Sequence, residues 1–196
     1  MGPFFGAVVG AICTLCVTSF NQWRHRNQQR RIATMQIASN LRRWMHTMAW
    51  NFDQTKLSVD SDGHGGTPLV EIPDFVFETS LEQIAILKNP IAVTLFNLIN
   101  AKDKINTRFK WCIEFQDEED IFDEFRSQSA TLFLDVGALY QCLSRQIGWS
   151  RDTDFDHHYT AMMKSEVERF EKIQADRVAS NRALFGCLTQ EADQSR

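Results

Sequence analysis

The chain has 196 residues, room for one domain with an appendage. Hydrophobic residues make up 43%, with 15 Phe and only 4 Pro, which excludes a collagen-like or wholly disordered chain and supplies a core. The net charge of −4 is an average that hides how charge is distributed.

Residues 3–20 carry no charged side chain. As a helix this stretch is about 27 Å long, close to the ~30 Å core of a bilayer. Trp23 follows at the depth of an interfacial aromatic, and Arg24, Arg26, Arg30 and Arg31 come next. A signal peptide carries its positive charge before the apolar run and a small-residue cleavage site after it; here the charges come after. A lipoprotein site wants small residues before its cysteine, and Ile12 precedes Cys13. Myristoylation wants Ser or Thr at position 6, which is Gly6. The expectation is a retained single-pass transmembrane helix in an inner or plasma membrane. The arginines after the span place the N-terminus outside and the rest in the cytoplasm. Trp23 and the four arginines are the expected lipid-headgroup and topology residues, with anionic lipid as the simplest attraction.

Gly2, Gly6, Gly10, Thr14 and Thr18 recur every four residues along one face of this helix. Small residues let two backbones approach in lipid, so this face is the expected packing surface of a homo-oligomer. Cys13 and Cys16 form a CxxC, but without a strand-turn-helix context they read as small apolar residues. The five cysteines are odd in number and irregularly spaced, which is no disulfide framework. A reducing compartment fits them.

The helical pattern continues beyond the arginines. Ala38, Leu41, Met45, Met48 and Phe52 step by 3 and 4, a heptad seam of coiled-coil type. No Pro or Gly interrupts residues 11–57, so membrane helix and seam can form one rod. Residues 21–57 hold seven Lys or Arg against one Asp, and residues 58–196 carry a net −10. Residues 58–68, with three Gly and one Pro, read as a flexible loop. Asp60, Asp62, Gly65 and Glu71 match four positions of an EF-hand, but His64 and Pro68 occupy two others, so a solvated linker is favoured. Residues 69–77 contain Pro73 and read as an extended segment. Leu69, Val70, Ile72, Phe75, Val76 and Phe77 are expected to pack on the bundle, because no second strand signal exists.

A capping box at Thr79–Glu82 starts a short helix, which Asn89-Pro90 ends. The next helix runs from about Pro90 to Phe115, with Ile91, Leu95, Leu98, Ile105, Phe109 and Cys112 inward and Lys102 snorkelling out. Asn97, Asn100 and Asn106 are a possible polar network. Another helix runs from about Glu118 to Gly148, its acidic start suiting the helix dipole. Phe122, Phe125, Ser129, Leu132, Val136, Leu139 and Leu143 form its seam. The last runs from about Phe155 to Phe185, with Gly186 as its stop and a polar tail over residues 187–196.

Asp152, Asp154, Asp156, His157 and His158 are the densest group of ligand-type side chains. Asp154, His157 and His158 are weak metal candidates. A di-iron bundle site needs a second Glu-x-x-His-type pair, and the sequence has none. No P-loop, dinucleotide fingerprint, HExxH or GxSxG occurs. Nucleic acid is not expected as a partner, since most of the chain beyond the basic block is acidic.

The expected fold is all-α: a transmembrane anchor (1–23), a basic juxtamembrane helix (24–57), a loop and extended segment (58–78), an antiparallel helical bundle (79–186) and a polar tail (187–196). The expected role is an interaction, scaffold or regulatory module with an unidentified protein partner and no cofactor. The alternatives are a helical metal-dependent enzyme and a membrane-active effector such as a toxin or phage lysis component.

Overall fold

The computed structural model describes the backbone of residues 2–62, 64–77, 84, 87, 89–115, 118–149 and 153–194, and the side chains of residues 13–62, 64–77, 84, 87, 89–114, 121–149 and 157–182. Among the described residues there are four long helices and no strand. They are α1 (Gly2–Asp60), α2 (Asn89–Phe115), α3 (Glu118–Ile147) and α4 (Thr153–Gln194). The all-α bundle expected from the spacing is therefore present.

α1 is one unbroken helix of 59 residues, about 88 Å long at 1.5 Å per residue. Its seam residues Ala38, Leu41, Met45, Met48 and Phe52 are all buried. The helix ends where the chain turns back on itself. Ser61 Oγ donates to the Leu57 carbonyl (2.6 Å) and accepts from the Gly65 amide (2.7 Å), so one hydroxyl serves both sides of the turn. Gly66 has φ +73°, and a Cβ there would overlap the Gln54 carbonyl, so the loop folds closely onto the last turns of α1.

α3 is the central helix and packs against α1, α2 and α4. Gly137 lies beside Met45, and Phe122 and Arg126 lie near Val59, so α3 runs antiparallel to α1. Phe109 of α2 stacks on Phe125 of α3 with ring centroids 3.9 Å apart. The seam residues Phe125, Ser129, Leu132, Val136, Leu139 and Leu143 are buried, and Phe122 is half-buried. α3 stops at Gly148 (φ +74°), where the Trp149 amide donates to the Ser144 carbonyl (3.0 Å) in a Schellman-type closure.

Residues 69–77 form a strap that runs back between α1 and α2. An extended segment without a strand partner must find other acceptors and donors for its backbone. Thr55 accepts from the Leu69 amide (2.8 Å). Asn106 closes a two-bond clamp on Ile72, accepting from its amide (2.8 Å) and donating to its carbonyl (2.9 Å). The Trp44 indole donates to the Pro73 carbonyl (2.8 Å), and its ring stacks on Phe75. Leu69 and Ile72 are buried, whereas Val70 and Val76 face out.

Some expectations are not shown by the described residues, and others are corrected. Among the described residues no helix is long and apolar enough to cross a membrane. The first twelve side chains of the expected span lie outside that set, and residues 13–20 alone cover only about 12 Å. The capping box at Thr79–Glu82 also lies outside the described residues. Lys102 does not snorkel out: it is 7% exposed, and its ammonium meets Asp74 and Asp103. Of the three asparagines, Asn106 is buried while Asn97 and Asn100 are exposed. Gly186 does not stop the last helix, and most of the expected tail continues α4 to Gln194.

The hydrogen bond from Lys102, and then its charge, hold the Asp74 carboxyl below the usual aspartate range. Burial pushes Lys102 down, but its hydrogen bonds and charge contacts with Asp103 and Asp74 outweigh this and leave it raised. A lowered folded pKa means that Asp74 contributes stability above its unfolded value of about 4 and loses it as pH falls through the folded value. The stability gap between the native protein and Asp74→Asn, read by thermal denaturation, should therefore close as pH drops below about 4. Asn106→Leu should lower stability by about 1–3 kcal/mol in urea denaturation, because both Ile72 backbone groups lose their partners. Asn100→Leu, at an exposed position, should stay within about 0.5 kcal/mol.

Candidate functional site

Two parts of the molecule carry residues of a functional kind. The first is the projecting half of α1. Every side chain over residues 13–32 is exposed except Asn27, which is half-buried, and the core begins at Ala33. Leu15, Val17, Phe20 and Trp23 are each more than half exposed. At about 100° per residue they spread over an arc of about 200° around the helix, with Thr14, Thr18, Asn21 and Gln22 on the remaining side. Phe20 and Trp23 lie against each other, with ring centroids 6.0 Å apart.

Arg24, Arg26, Arg30 and Arg31 follow, all exposed. Arg24 and Arg31 lie within about 20° of each other around the axis, and Arg26 and Arg30 lie within about 40° on the opposite side. The arginines encircle the helix instead of marking one face. Gly2, Gly6 and Gly10 belong to α1, but their surroundings lie outside the described residues. Thr14 and Thr18 are exposed, and the Thr18 hydroxyl donates to the Thr14 carbonyl (2.8 Å), one turn back in its own helix.

The second part is a groove at the opposite end of the bundle, between the last turns of α1, the loop at Pro68-Leu69, α3 and α4. It has a volume of about 480 Å³ and is lined by Thr55, Val59, Pro68, Leu69, Phe122, Asp123, Arg126 and Arg169. A second depression shares Val59, Arg126 and Arg169 and adds Phe52, Lys56, Asp60, Met162, Ser165 and Glu166.

Two crossed ion pairs span this groove. Arg126 of α3 donates to Glu166 of α4 (2.8 Å), and Arg169 of α4 donates to Asp123 of α3 (2.6 Å). Each helix carries an acid followed three residues later by arginine: Asp123-x-x-Arg126 and Glu166-x-x-Arg169. Antiparallel packing sets the acid of one against the arginine of the other. Hydrogen bonding to Asp123 raises the Arg169 pKa, against a smaller opposing effect of burial. The Arg126–Glu166 pair uses one bond where a fork has two. Arg126 Nε and Glu166 Oε2 are buried without a hydrogen-bond partner among the described residues. Arg169 Nε stands 3.4 Å from that carboxylate oxygen.

The metal candidates do not come together as a described site. His157 and His158 are exposed at the first turns of α4, and the Asp154 side chain lies outside the described residues. His158 sets its ring edge-on to Tyr159, whose hydroxyl donates to Asp53 of α1 (2.8 Å). Among the described residues no three His, Cys, Asp or Glu are grouped to hold a metal ion.

Asp123, Arg126, Glu166 and Arg169 were not singled out by sequence reasoning. Their signal is the repeated acid-x-x-Arg spacing on two helices, which acquires meaning only once the helices are aligned. Comparison with protein-family models, curated proteins and solved structures finds no match.

Reversing either partner alone, Arg126→Glu or Glu166→Arg, should cost about 1–3 kcal/mol of stability in urea denaturation. The double reversal should recover more than half of that loss. No recovery would mean the pair does not set the packing of α4 on α3.

Proposed function

We propose that the protein is a single-pass membrane protein whose helical bundle stands in the cytoplasm and acts as an interaction, scaffold or regulatory module. The observation that carries this reading is the division of α1. One continuous helix builds the bundle core from Ala33 onward, while residues 13–32 project from it with their side chains uncovered.

Three features support lipid as the surroundings of that projection. The stretch over residues 3–20 is uncharged. Its described apolar side chains Leu15, Val17 and Phe20, with Trp23 just beyond, stand uncovered by the protein over a broad arc, an apolar area that lipid would cover. The arginines begin one turn beyond Phe20, where a span of this length meets water. Their position after the span favours an outer N-terminus and a cytoplasmic bundle in an inner or plasma membrane. The face of Gly2, Gly6, Gly10, Thr14 and Thr18 is the proposed surface for a homo-oligomer. A protein partner would meet the bundle at the groove around Val59, Phe122 and Arg169, the far end of the rod from the lipid.

The test is extraction of cell membranes with alkaline carbonate. The full chain should stay in the membrane pellet, and a chain lacking residues 1–22 should move to the supernatant. Release of the full chain by carbonate would overturn the anchor reading.

A further inference from the structure

We propose that the cleft between α1 and α2 is a peptide-binding groove, filled in this structure by the chain's own strap, and that it takes an extended segment of a partner protein in the strap's place. The segment it fits has two apolar residues three apart, then proline, then an acid. The inference depends neither on the anchor reading nor on the groove around Val59, Phe122 and Arg169.

The first argument is where the cleft directs its buried polar groups. Trp44 and Thr55 of α1 and Lys102 and Asn106 of α2 are each less than one-tenth exposed. Polar groups buried so deeply cost free energy unless they are hydrogen-bonded. Thr55, Asn106 and Trp44 bond the strap backbone at Leu69, Ile72 and Pro73. Lys102 meets Asp74 of the strap besides Asp103 of its own helix. Main-chain bonds of this kind hold an extended peptide whatever its sequence, and pockets for its side chains supply the choice of sequence. Leu69 and Ile72 are the two buried anchors. Pro73 has no amide to satisfy, and its ring holds φ near the extended range. Asp74 answers the Lys102 ammonium.

The second argument is how lightly the strap is held. Of residues 69–77 only Leu69 and Ile72 are buried. Glu71 pairs with Lys110, but both side chains are more than half exposed, and such pairs contribute little. The strap is neither helix nor strand, and the loop before it has three Gly and one Pro within residues 58–68. A segment with so little burial opens at a lower free energy than the bundle unfolds. The bundle keeps its own core when the strap leaves, because α3 packs directly on both α1 and α2. What favours the strap over a free peptide is its tether. A short flexible linker sets an effective concentration on the order of mM, which a partner segment has to match.

The test uses the full chain in detergent micelles and a fluorescein-labelled peptide with the sequence of residues 67–77, read by anisotropy. Protease sites inserted near residues 63 and 80 allow the strap to be cut from its tethers. The cleaved protein should keep its helical circular dichroism and exchange its strap for excess peptide. It should bind the peptide about ten-fold or more tightly than the uncleaved protein does. Asn106→Leu in the cleaved protein should weaken the peptide about ten-fold, since two backbone bonds are lost. A peptide carrying Ile72→Asp should not bind. Loss of the helical signal on cleavage would make the strap part of the core and overturn the inference. So would a cut strap that millimolar peptide does not exchange, or equal binding of the Ile72→Asp peptide.

Discussion

One helix carries a half that is covered by protein and a half that is not. From Ala33 onward α1 follows the helical period, with Ile37, Leu41, Met45, Met48 and Phe52 buried and Arg43, His46 and Trp50 outside. Over residues 13–32 that period is lost and almost every side chain is exposed. A helix can bridge such surroundings because its backbone hydrogen bonds are satisfied within the segment, in water or in lipid alike. The absence of Pro or Gly between residues 11 and 57 keeps the two halves in one line. Any force on the outer half reaches the core through the same backbone.

The bundle built on that helix uses apolar burial for cohesion and a few polar contacts for alignment. Burial is non-directional and does not by itself choose a register. α3 provides the common surface, and three polar devices hold its surroundings in place. Asn106 clamps Ile72 of the strap. Lys102 gathers Asp74 and Asp103. The crossed pairs Arg126–Glu166 and Asp123–Arg169 match α4 to α3 at one alignment, and a slip of one residue would misdirect both.

Much of this architecture was legible in the residues. The 3–4 stepping of α2 and α3 led to boundaries within a residue of those observed, because Pro90 and Gly148 punctuate them. The seam of α1 was legible for the same reason. What local pattern could not show was whatever depends on a distant partner. Lys102 looked like a polar intruder because Asp74, 28 residues away, was not yet beside it. Asn106 was one asparagine among three until Ile72 came against it. Gly186 looked like a stop, yet glycine within a helix costs only about 1 kcal/mol, and nothing forces the chain to turn there. In the site, the arginines and Trp23 stood out by their place after an uncharged run. The groove pairs did not, since acid and arginine three apart are ordinary on a solvated helix face.

The central claim is that the outer half of α1 is surrounded by lipid on all sides while its inner half is surrounded by protein. A nitroxide scan of residues 5–32 in the reconstituted full chain, comparing accessibility to oxygen and to a water-soluble nickel chelate, tests it most directly. The account predicts high oxygen and low chelate accessibility at every position up to Phe20, with no helical period, and a reversal beyond Arg24. A period of about 3.6 residues across positions 5–20, or chelate access throughout them, would contradict it.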